Sequence, residues 1–285
     1  MLQAATCLKT EVQKETTNIK DSIAEKSTER WQGKRMHGKL PRNLDEKLVD
    51  IEQTYRWLKS SDIKGGTEST VVAAQDQAVS TNYFKNKILK QKIESKCRLC
   101  KRHEETIDHF TSGCPILAKN EYLMRHDKVC THLHYSICKA LGTETTNKWY
   151  THMPKPVCEE GDLTVLWNRA VHTDREVTAN RPDIIIKNKK EKKCTLIDVA
   201  IPADRNVVQK EAEKKLKYKS LFIEIQRMWN LKCTIVPVII GATGIVTRSL
   251  KKFGTIPGKH SIDSLQKTAI LGTSHIIRKV LQCEA

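Results

Sequence analysis

The chain has 285 residues, enough for one large domain or two modest ones, and carries 50 Lys and Arg against 33 Asp and Glu for a net charge of +17. No stretch approaches the roughly 18 uninterrupted apolar residues of a membrane span, and the first twenty residues lack the apolar run of a secretory leader. An intracellular chain with this basic excess points to a polyanionic partner, nucleic acid foremost, bound in a salt-dependent way.

Residues 1–95 read as a helical, basic arm. In NLDEKLVDIEQTYRWLK, the apolar positions Leu44, Leu48, Ile51, Tyr55 and Leu58 recur at helical spacing, with Asn43 as N-cap. Residues 60–70, with Gly65-Gly66, read as a loop. Helical character returns from Thr70 to Ile93. Nothing in the arm suggests a nucleophile or a phosphate-cradling glycine loop.

Residues 96–150 contain Cys97-x2-Cys100-x8-His109-x4-Cys114. A Cys-x2-Cys pair makes a tight turn whose thiolates converge on one ion, and His109 and Cys114 supply the opposite edge of a zinc tetrahedron. Four protein ligands leave no open position, so the expected zinc is structural, contributing on the order of 10 kcal/mol to folding. His103 lies too close to Cys100 to compete. Cys7, Cys130, Cys138, Cys158, Cys194, Cys233 and Cys283 show no clustering and read as core or incidental thiols. The stretch after the knuckle, with Leu123, Val129, Leu133, Ile137 and Leu141, predicts an amphipathic helix, with His126, His132 and His134 structural or exposed.

Residues 151–285 change texture to short apolar runs bounded by charged turns. Arg181-Pro182-Asp183 leads into Ile184-Ile185-Ile186, a strand covered on both sides. CTLIDVAIP alternates, placing Leu196, Asp198 and Ala200 on one face. Fourteen residues separate Asp183 from Asp198, a length that lets a hairpin return the second aspartate beside the first. Two such carboxylates repel and are expected to share a hard cation, Mg²⁺. A long helix is predicted from Asn206 to Asn230, with Val208, Ala212 and Leu216 inward and Glu211 and Lys215 flanking that stripe. A strand through TIVPVIIGA and helices over GIVTRSLKKF and SIDSLQKTAILGTSHIIRKVL complete a mixed α/β layer.

Pro182-Asp183 followed by Asp198 in the next strand resembles the PD-(D/E)xK nuclease superfamily, although Ala200 stands where its lysine is normally found. The resemblance therefore implies a lysine from the following helix, Lys215, with Lys217 in reserve. The knuckle, RPD motif, Asp198 strand and KLKY segment (Lys215 to Tyr218) together resemble the C-terminal region of non-long-terminal-repeat retrotransposon proteins. RWQGKRMHG (Arg30 to Gly38), AAQDQAVSTNYFKNKIL (Ala73 to Leu89), WYTHMP and RMWNLK add to it. The resemblance implies a restriction-endonuclease-like mixed sheet flanked by helices, in a nuclear, Mg²⁺-dependent endonuclease. That enzyme would nick target DNA so that the 3′ hydroxyl primes reverse transcription of element RNA. It assigns Asp183, Asp198 and Lys215 to catalysis, with Asp183 and Asp198 holding the Mg²⁺ and Arg181, Lys217 and Tyr218 in support. No Tyr-x-Asp-Asp-like motif is present, so the polymerase domain would be supplied elsewhere. Two other readings fit the same charge and zinc site: a catalytically inert nucleic-acid binder, and a protein-interaction module.

Overall fold

The computed structural model describes residues 2–60, 63–143, 146–250 and 262–283, with side chains from residue 14 onward. Helix α1 (Leu2–Gln32) leaves every described side chain exposed. From Lys39 the chain joins the main body through α2 (Lys39–Leu44), α3 (Ile51–Lys59), α4 (Gly65–Gln75) and α5 (Asn82–Lys87). Leu40, Leu44 and Val49 pack with Val207, Ile239 and Ile245, while Trp57 packs with Ile63, Val71 and Ile270. The expected boundary near residue 95 therefore cuts through shared core.

Several local expectations shift. Asn43 lies within α2, and α3 is capped by Asp50, whose carboxylate accepts from the Gln53 N–H at 3.1 Å. Leu48 and Ile51 are exposed and the helix instead buries Thr54 and Trp57. Its inward face includes a polar residue that an apolar count overlooks. The glycine pair expected in a loop opens α4, where the preceding Lys64 carbonyl accepts from the Glu68 N–H at 3.1 Å; Ser61 and Asp62 of that loop lie outside the described residues.

After the Cys/His segment come α6 (Pro115–Ala118) and α7 (Glu121–Ala140), then strands β1 (Val157–Glu160), β2 (Leu163–Trp167), β3 (Ile184–Asn188) and β4 (Lys193–Ala200). The chain continues through α8 (Val207–Lys217), α9 (Lys219–Trp229), β5 (Lys232–Ile239) and α10 (Ile262–Gln282). The sheet order is β1-β2-β3-β4-β5. The first four strands are antiparallel neighbours, whereas β5 runs parallel to β4. A parallel neighbour needs a crossover, which α8 and α9 provide.

Helices cover both sheet faces. Val129, Leu133 and Ile137 of α7 and Ala269 of α10 pack on Ile184, Ile186, Ile197 and Val199. Tyr218, Leu221 and Ile225 pack on Ile185, Cys194 and Leu196. The Ile184–Ile186 triple is thus buried from both sides, as its composition implied. The expected boundary at residue 150 runs through one core, because Val129, Leu133 and Ile137 of α7 share it with the sheet. The expected long helix breaks at Tyr218 (φ −99°, ψ 9°). Its first half turns inward not Ala212 and Leu216 but Val207, Glu211, Lys214 and Tyr218, at spacings of four, three and four residues.

The described part of GIVTRSLKKF is not the expected α-helix. Ile240 bridges Val246 and Val49 bridges Thr247. Gly244 sits at φ +107°, with Ile270 Cδ1 2.9 Å and Trp57 Nε1 3.1 Å from where a Cβ would stand. That close, left-handed turn blocks helix propagation. Residues 251–253 lie outside the described ones.

Candidate functional site

The β3–β4 hairpin pairs Ile184 with Ile197, so Asp183 and Asp198 are the next residues in the register, at one end of the two strands. Their carboxylates leave the hairpin in different directions. Asp183 Oδ2 accepts from the Val199 N–H at 2.7 Å and lies 3.3 Å from His126 Nε2 of α7. Asp198 faces the opposite helical layer and is buried. Its Oδ1 accepts from the Tyr218 hydroxyl at 2.5 Å, its Oδ2 forms an ion pair with Lys214, and Lys217 Nζ stands 3.7 Å from Oδ1.

The electrostatics follow from these partners. Both nitrogens of His126 face carboxylates, Asp127 Oδ1 at 3.0 Å from Nδ1 and Asp183 at Nε2. Burial opposes charging the ring, but its hydrogen bond to Asp183 prevails and raises the His126 pKa to about 9. Burial likewise works against the Asp183 carboxylate, yet His126 and the Val199 N–H hold its pKa below the usual range. The Tyr218 hydroxyl is pushed well above its ordinary pKa by burial and by donating to Asp198. It remains a neutral donor, and Lys217 Nζ donates to it at 2.8 Å. Lys217, Tyr218 and Asp198 form one relay.

Among the expected site residues, the hairpin brings Asp183 and Asp198 to one strand end and the helix brings Lys217 and Tyr218 to Asp198. Lys215 is not with them. It points outward, its ammonium paired with Glu211 one turn back, because position 215 lies off the inward stripe that carries Lys214. Arg181 donates from Nε to the Asn168 carbonyl at 2.9 Å and is directed along the loop. Sequence reading missed both Lys214 and His126. The signal for Lys214 was its position four residues before Tyr218. His126 offered none, since its partner comes from a distant strand.

Cys97, Cys100, His109 and Cys114 converge, with every ligand atom within 4.8 Å of the others. A cluster of three thiols and an imidazole can hold a metal ion such as zinc. The turn is built as the spacing required: the Lys101 N–H donates to the Cys97 carbonyl at 2.8 Å, with Lys101 at φ +56°. Cys100 Sγ lies 3.4 Å from His109 Nε2. Burial and the charge of nearby His103 depress the His109 pKa, favouring the neutral imidazole that ligates metals. His103 stays outside the cluster. The Tyr122 hydroxyl accepts from the Cys114 N–H at 3.1 Å, and α10 residues Ile276, Ile277 and Val280 seal the module's apolar side.

Two further groupings were not foreseen. His126, Cys130 and Asp183 converge beside the hairpin, and His134, Cys138 and Cys158 converge within the core. Among the described residues, no helix is long and apolar enough to cross a membrane. No protein-family model matches the chain, and no curated protein matches it.

Proposed function

We propose that this chain is a metal-dependent DNA endonuclease, the restriction-like nuclease tail of a non-long-terminal-repeat retrotransposon protein. The observation that carries the reading is the placement of Asp183 and Asp198 opposite each other, one step beyond the Ile184–Ile197 pair, with a half-buried lysine, Lys214, against the second carboxylate. A mixed sheet flanked by helices on both faces agrees with the restriction-endonuclease-like fold that the resemblance implies.

Asp183 and Asp198 would hold Mg²⁺, which supplies Lewis acidity and a water of lowered pKa. Their oxygens suit a hard cation, and the two cations now opposing them, His126 and Lys214, would yield as it binds. Lys214 replaces Lys215 in this reading and would face the non-bridging phosphate oxygens, offsetting charge that develops there. Tyr218 would keep Asp198 oriented, and Lys217 would meet a flanking phosphate. The structural ion at Cys97, Cys100, His109 and Cys114 would be Zn²⁺. Target DNA and element RNA would be partners, a polymerase domain would extend the nicked end, and the site of action would be nuclear.

Plasmid nicking in Mg²⁺ tests the proposal: wild type cuts, and Asp183→Ala and Asp198→Ala do not. Activity that survives both changes sinks it. A second reading, an inert nucleic-acid binder, is favoured by one observation, that each carboxylate already has a cationic partner from the protein. Salt-dependent DNA binding by a chain that never nicks would select it.

A further inference from the structure

We propose a second structural zinc site, formed by His134, Cys138 and Cys158 with His152 as the fourth ligand. Cysteines 138 and 158 look incidental in the sequence, twenty positions apart and far from the knuckle. The fold brings them together. His134 and Cys138 lie one turn apart on α7, so both project from the same face, and Cys158 is the inward residue of β1. Their ligand atoms lie within 4.8 Å of one another. His152 arrives from the segment between α7 and β1, its Nε2 2.7 Å from His134 Nδ1.

The distances among the ligand atoms are compatible with zinc. Tetrahedral zinc with bonds of about 2.3 Å to sulfur and about 2.0 Å to nitrogen separates neighbouring S and N ligands by about 3.5 Å. Cys138 Sγ stands 3.6 Å from His134 Nδ1, close to the 3.4 Å between Cys100 and His109 in the first cluster. The 2.7 Å His134–His152 separation is a hydrogen-bond distance, and ligation needs it to open to roughly 3.3 Å. His152 lies outside the three-residue cluster as it stands, so its ligation requires the 149–152 turn to move. That turn is held on α7 by Trp149, stacked on His132 at 4.5 Å and 5° between planes. All four side chains are buried. Two thiolates cancel the charge of one Zn²⁺, so the filled site places no net charge in the core.

The ion would tie the end of α7 and the 149–152 turn to edge strand β1, closing the side of the sheet that otherwise depends on a four-residue strand. Soft sulfur and imidazole ligands select zinc over magnesium, so this site is separate in chemistry from the proposed nuclease centre.

Zinc content of the full chain, measured by elemental analysis and native mass spectrometry after exhaustive removal of loosely bound metal, decides the matter. Wild type should hold two zinc ions, Cys100→Ser one, Cys138→Ser and Cys158→Ser one each, and Cys130→Ser two. The last variant separates this site from the His126, Cys130 and Asp183 grouping. A single zinc in wild type overturns the proposal, as does a second zinc that survives both Cys138→Ser and Cys158→Ser or disappears from Cys130→Ser. Should Cys138→Ser lose both ions by misfolding, cobalt(II) added to the Cys100→Ser chain decides. Thiolate-to-cobalt charge-transfer absorption at one ion per chain supports the site, and its absence overturns it.

Discussion

Lys214 of α8 and Asp198 of β4 form an ion pair that is almost wholly buried on the carboxylate side, whereas its neighbour Lys215, half exposed, pairs with Glu211 one turn back. One residue of difference along a helix is 100° of rotation, which turns Lys214 onto Asp198 and leaves Lys215 outside that contact. Lys214→Ala is expected to lower plasmid nicking by about 100-fold, the scale lost when one donor to a developing oxyanion is removed. Lys215→Ala should stay within a few-fold of wild type. Initial nicking rates of the two variants at saturating Mg²⁺ make the comparison, and equal losses would remove Lys214 from its assigned role.

Tyr218 donates to Asp198 at 2.5 Å and receives a hydrogen bond from Lys217 at 2.8 Å. Tyr218→Phe keeps the ring in its apolar seat against Leu221 and Ile225 but strands a buried carboxylate oxygen. The expected cost is about 1–3 kcal/mol of unfolding free energy, read by urea denaturation. Nicking should fall with little change in DNA affinity, because the hydroxyl orients Asp198 and does not itself reach solvent.

How much of this could be read beforehand depends on what set each position. The Cys97 to Cys114 cluster was legible because ligand spacing is local, and the Asp183/Asp198 register was legible because alternation and a short turn determine it. The inward face of α8 was not, since it is half polar: Glu211 and Lys214 are turned in by Val207 and Tyr218, while Leu216 is 69% exposed. Periodicity counted on apolar residues alone selects the wrong stripe. His126, Cys138 and Cys158 were opaque for another reason. Their partners come from distant elements, and only the packing of α7 on the sheet brings them within reach.

That packing also makes residues 121–140 part of the sheet's fold. Leu133 is fully buried among Ile184, Ile197 and Val238, and Leu133→Ala should cost about 2–5 kcal/mol. A chain beginning at residue 151 loses α7 entirely and is expected to be unfolded by circular dichroism and proton NMR dispersion. A well-dispersed spectrum from that fragment would show that the boundary at 150 is real after all.

The buried pair Arg98–Glu105 gives the knuckle region an acid sensitivity of its own. Glu105 is fully buried and accepts from Arg98 Nη2 at 2.7 Å, Arg98 Nε at 3.0 Å, the Arg98 N–H at 2.7 Å and the Asn82 N–H at 2.8 Å. Burial favours the neutral acid, but these donors prevail and depress its pKa below the usual 4.5. The unfolded chain therefore takes up this proton at a higher pH than the folded one. The stabilisation is complete above about pH 4.5 and disappears as pH falls through the lower, folded pKa. At neutral pH, Glu105→Gln should cost about 3–5 kcal/mol, because it leaves the buried Arg98 charge without a counter-charge. The cysteine ligands also take up protons in acid, so the informative quantity is the wild-type minus Glu105→Gln stability at matched zinc concentration. That difference should be constant from pH 7 to about 5 and shrink below 4.5; a gap that holds its size down to pH 3 would mean that Glu105 gains nothing from its charge.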